Sequence, residues 1–357
     1  MTSSSTGKPD TSTGKPGTVP VQARPGRSGL NRTVKLVAGA LLALVIVWIA
    51  AAGSNHLLGL ATVALMFGAI SGAWAMAGGL GGLFSLGHAA FFGIGAYTTA
   101  FLFAGHGVSP WLGMVAGVVL AAVFGACTTW LSVRFRVRGS YFALVTLAWA
   151  EMLRVIVSNV TPLGRSNGIL VPYKAEPTFA DLQFSDPRAY YALAVLYAVV
   201  VTVIFMVVKR TRFGWRLSAV RGDEDAAAAS GVDVRRVLVA VMALSAAVTA
   251  AGGTLYVQYM QFIDPELAFS PTVSIDIAIR AVIGGPMVAL GPLAGSGAMT
   301  TMTEWLKMSV SDSPAMNVLL FGVAVILAGR YFRNGLAGIG ASALQWIGRR
   351  KERHDGS

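Results

Sequence analysis

The segment GGLGGLFSLGHAAFFGIGAYTTA, residues 78–100, combines frequent glycine with apolar side chains and a single histidine. Glycine disfavours a helix by roughly 1 kcal/mol relative to alanine, so a simple bilayer anchor has no reason to contain so many. Glycine-rich segments at membrane depth occur where backbones pack closely, or where a broken helix lines a protected cavity. The segment therefore predicts a membrane protein that moves a solute.

Composition assigns the whole chain to the membrane class. Hydrophobic residues make up 55% of its 357 residues and charged residues only 12%, whereas about 25% of a soluble domain is charged. A bilayer-spanning helix needs about 20 apolar residues. Runs that reach or approach this length lie at 34–52, 57–77, 88–104, 111–133, 141–158, 189–208, 236–257, 273–285, 292–308 and 316–332. The sequence therefore predicts an all-α polytopic membrane protein with about ten transmembrane helices and broken Gly/Pro-rich segments.

Two details of this span pattern set the topology. The run at 273–285 is too short to cross alone, so we expect it to begin in the preceding loop or to stop part-way. If the chain has ten spans and its N-terminus lies in the cytoplasm, most of its 28 Lys and Arg fall on one face of the membrane. They lie in the N-terminal tail, the 134–140 loop, the 209–236 loop and the C-terminal end. Short loops rich in Lys and Arg mark the cytoplasmic face. We predict a multi-pass protein of the bacterial cytoplasmic membrane with both termini in the cytoplasm.

Three regions follow from this interpretation. Residues 1–33 are rich in Ser, Thr, Gly and Pro and are expected to form a disordered cytoplasmic tail. Residues 34–335 form the transmembrane domain, and residues 336–357 form a basic cytoplasmic tail. The net charge of +12 suits anionic membrane lipid better than nucleic acid, because the basic residues flank apolar spans. A single cysteine, Cys127, excludes an internal disulfide.

A weak internal repeat joins two parts of the chain. The sequence GGLFSLGHAAFFGIGA (81–96) matches GGPMVALGPLAGSGA (284–298) with one gap. Paired Gly- or Pro-interrupted segments in two halves of a membrane protein point to a transport pathway, and chance similarity is the alternative. The predicted helix-breaking residues are Gly81, Gly82, Gly284, Gly285, Pro286, Gly291 and Pro292.

The 209–236 loop is long, charged and alanine-rich, which predicts a short helix on the cytoplasmic face. Within it, Asp225, Ala226 and Ala227 precede Gly231 with three residues between. This is the spacing of the coupling motif in ABC-transporter permeases, with Asp in place of Glu; a plain solvated turn is the alternative. Candidate residues for coupling to an ATPase are Asp223, Glu224, Asp225, Ala226, Ala227 and Gly231.

Two pairs of ionisable residues lie inside predicted spans. Glu151 and Arg154 are three residues apart, and Asp276 and Arg280 are four apart, so each pair shares a helix face. Ionisable groups within a bilayer usually face the bundle interior or a water-filled cavity. Either the pairs line or gate the pathway, or each neutralises itself and fixes helix packing; we favour the second interpretation.

His88 begins the third predicted span beside Ser85 and Gly87. A helix N-terminus can bind a carboxylate, but the predicted topology turns this end towards the cytoplasm. We therefore expect a structural histidine near an inner gate. The other histidines are scattered, so no metal site is predicted. No Ser/His/Asp set, HExxH motif or G-x-x-x-x-G-K-[ST] motif occurs, which predicts a non-enzymatic chain without a cofactor of its own, ATP being bound by partner subunits.

Four segments together resemble one family. They are GGLFSLGHAAFFGIGAY (81–97), RGSYFALVTLAWAEMLRVIVSN (138–159), SNG (Ser166, Asn167 and Gly168) and FGWRLSAVRGDEDAAAASGVDVRR (213–236). In this order the chain is similar to the LivM-type permease, the membrane subunit of branched-chain amino-acid ABC importers. The resemblance implies a bundle of about ten helices that moves these amino acids into the cytoplasm. It also implies a second permease of the LivH type, two ATPase subunits and an extracytoplasmic solute-binding protein as partners.

Departures from the family pattern leave the solute open. The chain has Pro286 and Ala289 at unusual places in its second glycine cluster, and Arg165 where the family has glycine. Urea and amides are therefore alternatives to branched-chain amino acids. The sequence also leaves open whether the permease core contains this chain once, beside a different permease, or twice.

Three other classes are considered. An ion-coupled secondary transporter would not need the 209–236 loop, and a non-transporting scaffold would not explain the broken glycine segments. An intramembrane enzyme would need a catalytic dyad or metal set, which the sequence does not show. We expect the charged 159–188 loop, with Glu176, Asp181 and Asp186, to dock the binding protein.

Overall fold

The computed structural model describes residues 54–174, 178–309 and 322, which are almost entirely helical. Its α-helices, in chain order, are α1 Asn55–Ala75, α2 His88–His106, α3 Pro110–Arg134, α4 Ser140–Asn159, α5 Pro187–Arg210, α6 Arg212–Gly222, α7 Glu224–Ala229, α8 Val234–Met260, α9 Pro265–Phe269, α10 Pro271–Gly284 and α11 Gly291–Ser309. A π-helical turn, Met76–Leu80, prolongs α1. Two short antiparallel strands, β1 (Ile169–Leu170) and β2 (Phe262–Ile263), pair between the loops that follow α4 and α8.

Six helical segments within the described ranges are long and apolar enough to cross a membrane. They are Asn55–Leu80, Pro110–Arg134, Ser140–Asn159, Pro187–Arg210, Val234–Met260 and Pro265–Gly284. The predicted all-α polytopic class is thereby confirmed, whereas the count of about ten spans is not. The short run at 273–285 is prolonged by α9, which brings the combined segment to 20 residues.

The other predicted spans divide into two groups. Helices α2 and α11 occupy the predicted spans 88–104 and 292–308, but each has only 19 residues and neither is among the six apolar segments. Polar residues at the ends of α2 and along the second half of α11 lower their hydropathy. The predicted spans 34–52 and 316–332, and both predicted tails, lie outside the described residues apart from residue 322.

Helices α2 and α8 pack backbone to backbone at the centre of the described bundle. A Cβ placed on Gly95 would meet the carbonyl of Ala250, and one on Gly253 would meet the carbonyl of Phe92. Helix α3 approaches the same pair through Gly117, whose nearest neighbour is Gly95. Small residues allow this close approach, which replaces the hydrophobic driving force that is absent within lipid. Gly95 of the opening segment therefore serves helix packing.

Both predicted helix breaks are present. The chain leaves α1 through the π-helical turn, runs without helix through residues 81–87, and enters α2 at His88. Similarly, α10 ends at Gly284 and α11 begins at Gly291 after a six-residue turn. Gly82 and Gly285 have positive φ values of 74° and 104°, a region that side chains with a Cβ seldom adopt. Glycine at each break therefore permits the change of direction.

Candidate translocation route and coupling surface

The first break, residues 81–87, is held by two hydrogen bonds to neighbouring helices and by one within the break itself. The indole N–H of Trp74 donates to the carbonyl of Ser85 (2.7 Å), and the amide of Leu86 donates to the hydroxyl of Thr146 (3.0 Å). The amide of Gly87 donates to the hydroxyl of Ser85 (3.2 Å), and a Cβ on Gly87 would meet the carbonyl of Thr146. A non-helical backbone is tolerated at this depth only when its polar groups are satisfied by protein, and the helices α1 and α4 provide this.

His88 follows directly and links helices in the buried core. Its side chain is fully buried and its Nε2 lies 2.8 Å from Ser245 Oγ. Because the Ser245 hydroxyl donates to the carbonyl of Ala73 (2.7 Å), it accepts from His88, which puts the proton on Nε2. The amide of Ala89 donates to Ser274 Oγ (2.9 Å). The first turn of α2 is therefore occupied by protein groups, which favours a structural role for His88 over a carboxylate site.

The second helix break lies against the π-helical turn that leads into the first break, and the 209–236 loop contacts both breaks. A Cβ placed on Gly79 would meet the carbonyl of Pro286, so the π-helical turn after α1 touches the second break. Helix α6 contacts both breaks: the Arg221 side chain lies against Gly82 and also reaches the Met287 sulfur. At the end of α5, Lys209 Nζ donates to the carbonyl of Met287 (2.6 Å). A displacement of α6 therefore acts directly on both breaks.

At the second break, α10 and α11 also meet through glycine. A Cβ on Gly284 would collide with the carbonyl of Gly291, and one on Gly295 with the carbonyl of Arg280. Pro292 occupies the first turn of α11, where its missing N–H costs nothing. The predicted break residues of both clusters therefore lie at helix ends or at helix contacts.

The predicted coupling residues form a capped helix on the same face of the molecule. Asp223 Oδ1 accepts from the amides of Asp225 and Ala226, both at 2.9 Å, which caps the N-terminus of α7. Gly231 follows the helix with φ of 84°, the left-handed conformation that ends many helices. Ala227 is buried, whereas Asp223, Asp225, Ala226 and Gly231 are exposed. The motif thus anchors one side of α7 and leaves the other side accessible.

Arg138, in the loop between α3 and α4, holds α7 in place. Its Nε lies 2.9 Å from Glu224 Oε2, and its Nη2 lies 3.7 Å from Asp225 Oδ1. A cleft of about 430 Å³ separates α7 from the first break. The cleft is lined by residues that include Gly81, Gly82, Arg138, Arg221 and Asp223. The sequence analysis did not single out Arg138. The available signal was its place in the 134–140 segment, which was predicted to lie on the same face as the 209–236 loop.

The charge pair Glu151–Arg154 has a third member. Arg154 Nε donates to Glu151 Oε1 and Oε2 (3.1 and 3.0 Å), and Arg154 Nη2 also binds Oε1. Arg154 Nη1 donates to Glu266 Oε2 on α9 (2.8 Å). The predicted pair therefore does not simply neutralise itself, because one cation is shared between two carboxylates on different helices.

The second charge pair is built into helix packing. Arg280 Nε donates to Asp276 (2.7 Å), while its Nη1 donates to the hydroxyls of Ser296 (2.9 Å) and Thr300 (3.0 Å) on α11. Ser296 in turn donates to the carbonyl of Ala64 on α1 (2.7 Å). This network joins three helices, which favours the packing interpretation for Asp276 and Arg280.

The SNG segment lies beside the start of α9. Gly168 has φ of 75°, and a Cβ there would meet the carbonyl of Ile263. The neighbouring pair Ile169↔Ile263 extends this contact through the short β-ladder. Ser166 and Asn167 are exposed. The structure therefore brings Ser166, Asn167 and Gly168 to the helix that carries Glu266, a residue that the sequence analysis missed.

In the described parts of the predicted docking loop, residues 159–174 and 178–188, charged side chains bond to other groups of the loop. Lys174 Nζ and Thr178 Oγ1 donate to the two oxygens of Asp181, and the hydrogen bond from Lys174 is the main cause that lowers the pKa of this carboxyl. Asp186 caps α5 by accepting from the amide of Arg188 (2.8 Å). Glu176 lies outside the described residues.

These features define a polytopic helical membrane protein with apolar spans, two glycine-broken helix junctions, and a short helix, α6, that contacts both junctions. The chain belongs to the family described as the branched-chain amino acid transport system permease component, whose model matches residues 56–329. The residues carrying the predicted motifs all lie within this matched range.

Relatives among characterised proteins agree with this family. The chain is 29% identical to the high-affinity branched-chain amino acid transport system permease protein LivM of Escherichia coli, over 73% of this chain and 66% of that protein. It thus spans just under two thirds of the length of that relative. The fructose import permease FrcC of Rhizobium meliloti is 26% identical over 62% of each chain. The L-arabinose ABC transporter permease AraH of Azospirillum brasilense is 26% identical over 61% of each. No solved structure matches the chain.

Proposed function

We propose that this chain is the membrane-spanning permease subunit of an ABC importer, and that it moves branched-chain amino acids, or a related small polar solute such as urea or an amide, into the cytoplasm. Separate ATPase subunits drive the transport, a second permease completes the route, and an extracytoplasmic binding protein delivers the solute. Family membership supports the permease role. The amino-acid name of the LivM relatives, which exceed the two sugar permeases in identity, supports the solute class.

The contact of α6 with both helix breaks carries this proposal. An ATPase that docks on the exposed side of α7 moves α6 through the one-residue junction at Asp223. Arg221 and Lys209 then transmit the movement to Gly82 and Met287. Because packed helices have discrete arrangements rather than a continuous range, displacement of the two breaks shifts the bundle between outward-open and inward-open states. The basic residues of the 134–140 and 209–236 loops support a cytoplasmic location for this surface and for both termini.

The substitution Gly231→Trp tests the coupling surface. Residue 231 is exposed and has positive φ, and a Cβ added there would have no atom within 4 Å. A bulky residue therefore strains the turn after α7 and covers its accessible side without entering the core. We expect capture of the ATPase subunits by the purified membrane complex to fall at least tenfold, with unchanged membrane abundance.

The matched control is Gly105→Trp, an exposed glycine near the end of α2 that also has no neighbour within 4 Å. It introduces the same side chain far along the chain from α7 and should leave ATPase capture intact. Normal capture by Gly231→Trp would contradict the assigned coupling surface.

A further inference from the structure

Arginine side chains from three parts of the chain line the cleft beside α7. Arg136 and Arg138 belong to the α3–α4 loop, Arg221 lies near the end of α6, and Arg235 lies in the first turn of α8. The cleft volume of about 430 Å³ falls within the range of about 300–1,000 Å³ that is typical of small-molecule sites. We call this site the arginine cleft.

The acidic residues of the arginine cleft already have partners within the protein. They are Asp223, Glu224 and Asp225, and against the four arginines they leave a formal charge of +1. The second and third of them pair with Arg138, and the first accepts two amide hydrogens at the start of α7. In the described part of the chain, the side chains of Arg136 and Arg235 form no ion pair and no hydrogen bond. The uncompensated charge of the cleft is therefore positive and lies on arginine.

These arginines favour a phosphate group as the ligand. A guanidinium binds phosphate through two parallel N–H donors, and Arg136, Arg221 and Arg235 are all exposed. Arg221 keeps its positive charge uncompensated, because the Met287 sulfur that its Nη1 reaches is only a weak acceptor. Arg136 also has φ of 54°, a value that residues with a Cβ seldom adopt, and such residues cluster at ligand sites. An anion in the cleft reduces the repulsion between these cations.

The surroundings of the arginine cleft favour a phospholipid as the source of the phosphate. The flanking helices α3 and α4 are the least buried of the six apolar segments, and Phe142 of α4 lines the cleft. Exposed aromatic residues lie at or beside the same ends of these helices: Trp130, Phe135 and Tyr141. Since aromatic residues are enriched at the membrane–water interface, the cleft lies at headgroup level. The exposed ring of Phe84 and the side chain of Val137 also line the cleft, which gives a glycerol backbone an apolar surface.

We propose that the arginine cleft binds the phosphate of an anionic phospholipid, with Arg136, Arg221 and Arg235 as the binding residues. The acyl chains of this lipid lie on the exposed apolar faces of α3 and α4. The cytoplasmic leaflet is rich in anionic lipid, and the inference rests on the proposed function only in placing the cleft on that side. The bound headgroup joins the α3–α4 loop to α6 and α8, which are the segments next to α7.

Lipid binding by the purified full-length chain tests the assignment. The chain is delipidated in detergent and titrated with phosphatidylglycerol, or with phosphatidylcholine of the same acyl chains, and native mass spectrometry counts the bound lipids. We expect the wild type to bind one phosphatidylglycerol at least tenfold more tightly than the cleft variant, Arg136→Gln with Arg235→Gln, and phosphatidylcholine not to fill this site. The matched control is Arg212→Gln with Arg216→Gln, which removes two exposed arginines of α6 that do not line the cleft.

The unfolding temperature of the chain in detergent provides a second measurement. A ligand that binds only the folded state raises this temperature, so phosphatidylglycerol should stabilise the wild type and the control variant equally, and the cleft variant much less. Inorganic phosphate, tested alone over the same concentrations, distinguishes a soluble anion from a lipid headgroup and should not stabilise the chain.

Three results would overturn the assignment. The first is equal affinity for phosphatidylglycerol in the wild type and the cleft variant, and the second is an equal loss of affinity in the control, which would indicate general attraction to a basic surface. The third is stabilisation by inorganic phosphate that depends on Arg136 and Arg235, which would assign the cleft to a soluble anion. Neither measurement involves ATPase subunits or uptake, so the lipid site and the importer role can fail separately.

Discussion

At Gly95 the missing Cβ decides how closely two helices approach. The backbone of α2 lies against the carbonyl of Ala250 on α8 there, and against Gly117 on α3. Nearby, Thr99 and Thr254 exchange a side-chain hydrogen bond of 2.8 Å between the same two helices. Such a bond contributes only about 1 kcal/mol, so close packing carries most of the attraction. Each glycine in this contact therefore allows close helix packing, although glycine has a low helix propensity.

Gly95→Ala should lower stability, because the added methyl must displace the backbone of α8. Overpacking of this kind costs about 1–3 kcal/mol, and we expect a lower unfolding temperature of the protein in detergent. The internal comparison is Gly105→Ala in the same helix, where no atom lies within 4 Å. There the gain in helix propensity, up to about 1 kcal/mol, should leave the temperature equal or higher. Equal unfolding temperatures for the two variants would refute the packing role of Gly95.

At the scale of elements, the short helices α6 and α7 link the surface proposed to bind the ATPase to the two helix breaks. Helix α7 has only six residues, too few to be stable alone in water. Its cap at Asp223 and the ion pairs of Arg138 with Glu224 and Asp225 supply the missing stabilisation. Arg138 belongs to the α3–α4 loop, so α7 is held from outside its own segment. The orientation of α7 therefore depends on a contact between the α3–α4 loop and the 209–236 loop.

The charge exchange Arg138→Glu with Glu224→Arg tests this contact. Arg138→Glu alone places a third acidic group beside Glu224 and Asp225, and we expect ATPase capture to weaken several-fold. Exposed ion pairs contribute about 0.2–1 kcal/mol, so the loss should be partial. The double variant restores opposite charges and should recover most of the capture.

Arg236→Glu provides the comparison for this exchange. Arg236 Nε lies 3.0 Å from Asp233 at the start of α8, so this ion pair is local and does not join two loops. This variant should leave ATPase capture near the wild-type level. Failure of the double variant to recover capture would show that Arg138 does not act through Glu224.

At the scale of the whole molecule, the charged residues that join the central helices, Asp276 and Arg280, are bonded to other protein groups. Asp276 is paired with Arg280, which also binds Ser296 and Thr300. Transport driven by an ion gradient needs ionisable groups that bind and release the coupling ion within the membrane. The described bundle uses this pair to hold α1, α10 and α11 together. Energy is therefore expected to enter at the cytoplasmic surface.

The purified chain alone, reconstituted in liposomes, should not accumulate leucine when supplied with a proton or sodium gradient. The same chain assembled with its second permease, two ATPase subunits and a binding protein should accumulate it when ATP is provided on the side of α7. Radiolabelled uptake measures both conditions. Accumulation by the isolated chain under an ion gradient would favour the secondary-transporter alternative.

The helix breaks and the short capped helix in the 209–236 loop were accessible from sequence because each depends on local chemistry. Glycine at Gly82, Gly285 and Gly231 marks backbone conformations that other residues seldom adopt. The Asp223 cap likewise lies within three residues of its partners. By contrast, the sequence suggested that Glu151 and Arg154 neutralise each other, since spacing along one helix says nothing about a third charge on another. The span count of ten was likewise based on hydropathy, and it was not confirmed for α2 and α11.

Apolar runs alone determined that this is an all-α membrane protein, because a backbone in lipid must satisfy its own hydrogen bonds and a helix does so locally. The tertiary structure decided which distant residues meet. It placed Glu266 on Arg154, 112 positions away, set α6 against both breaks, and joined Arg138 to α7. Such contacts depend on which helix faces pack together, and that choice comes from steric fit between backbones, which no single segment of the sequence contains.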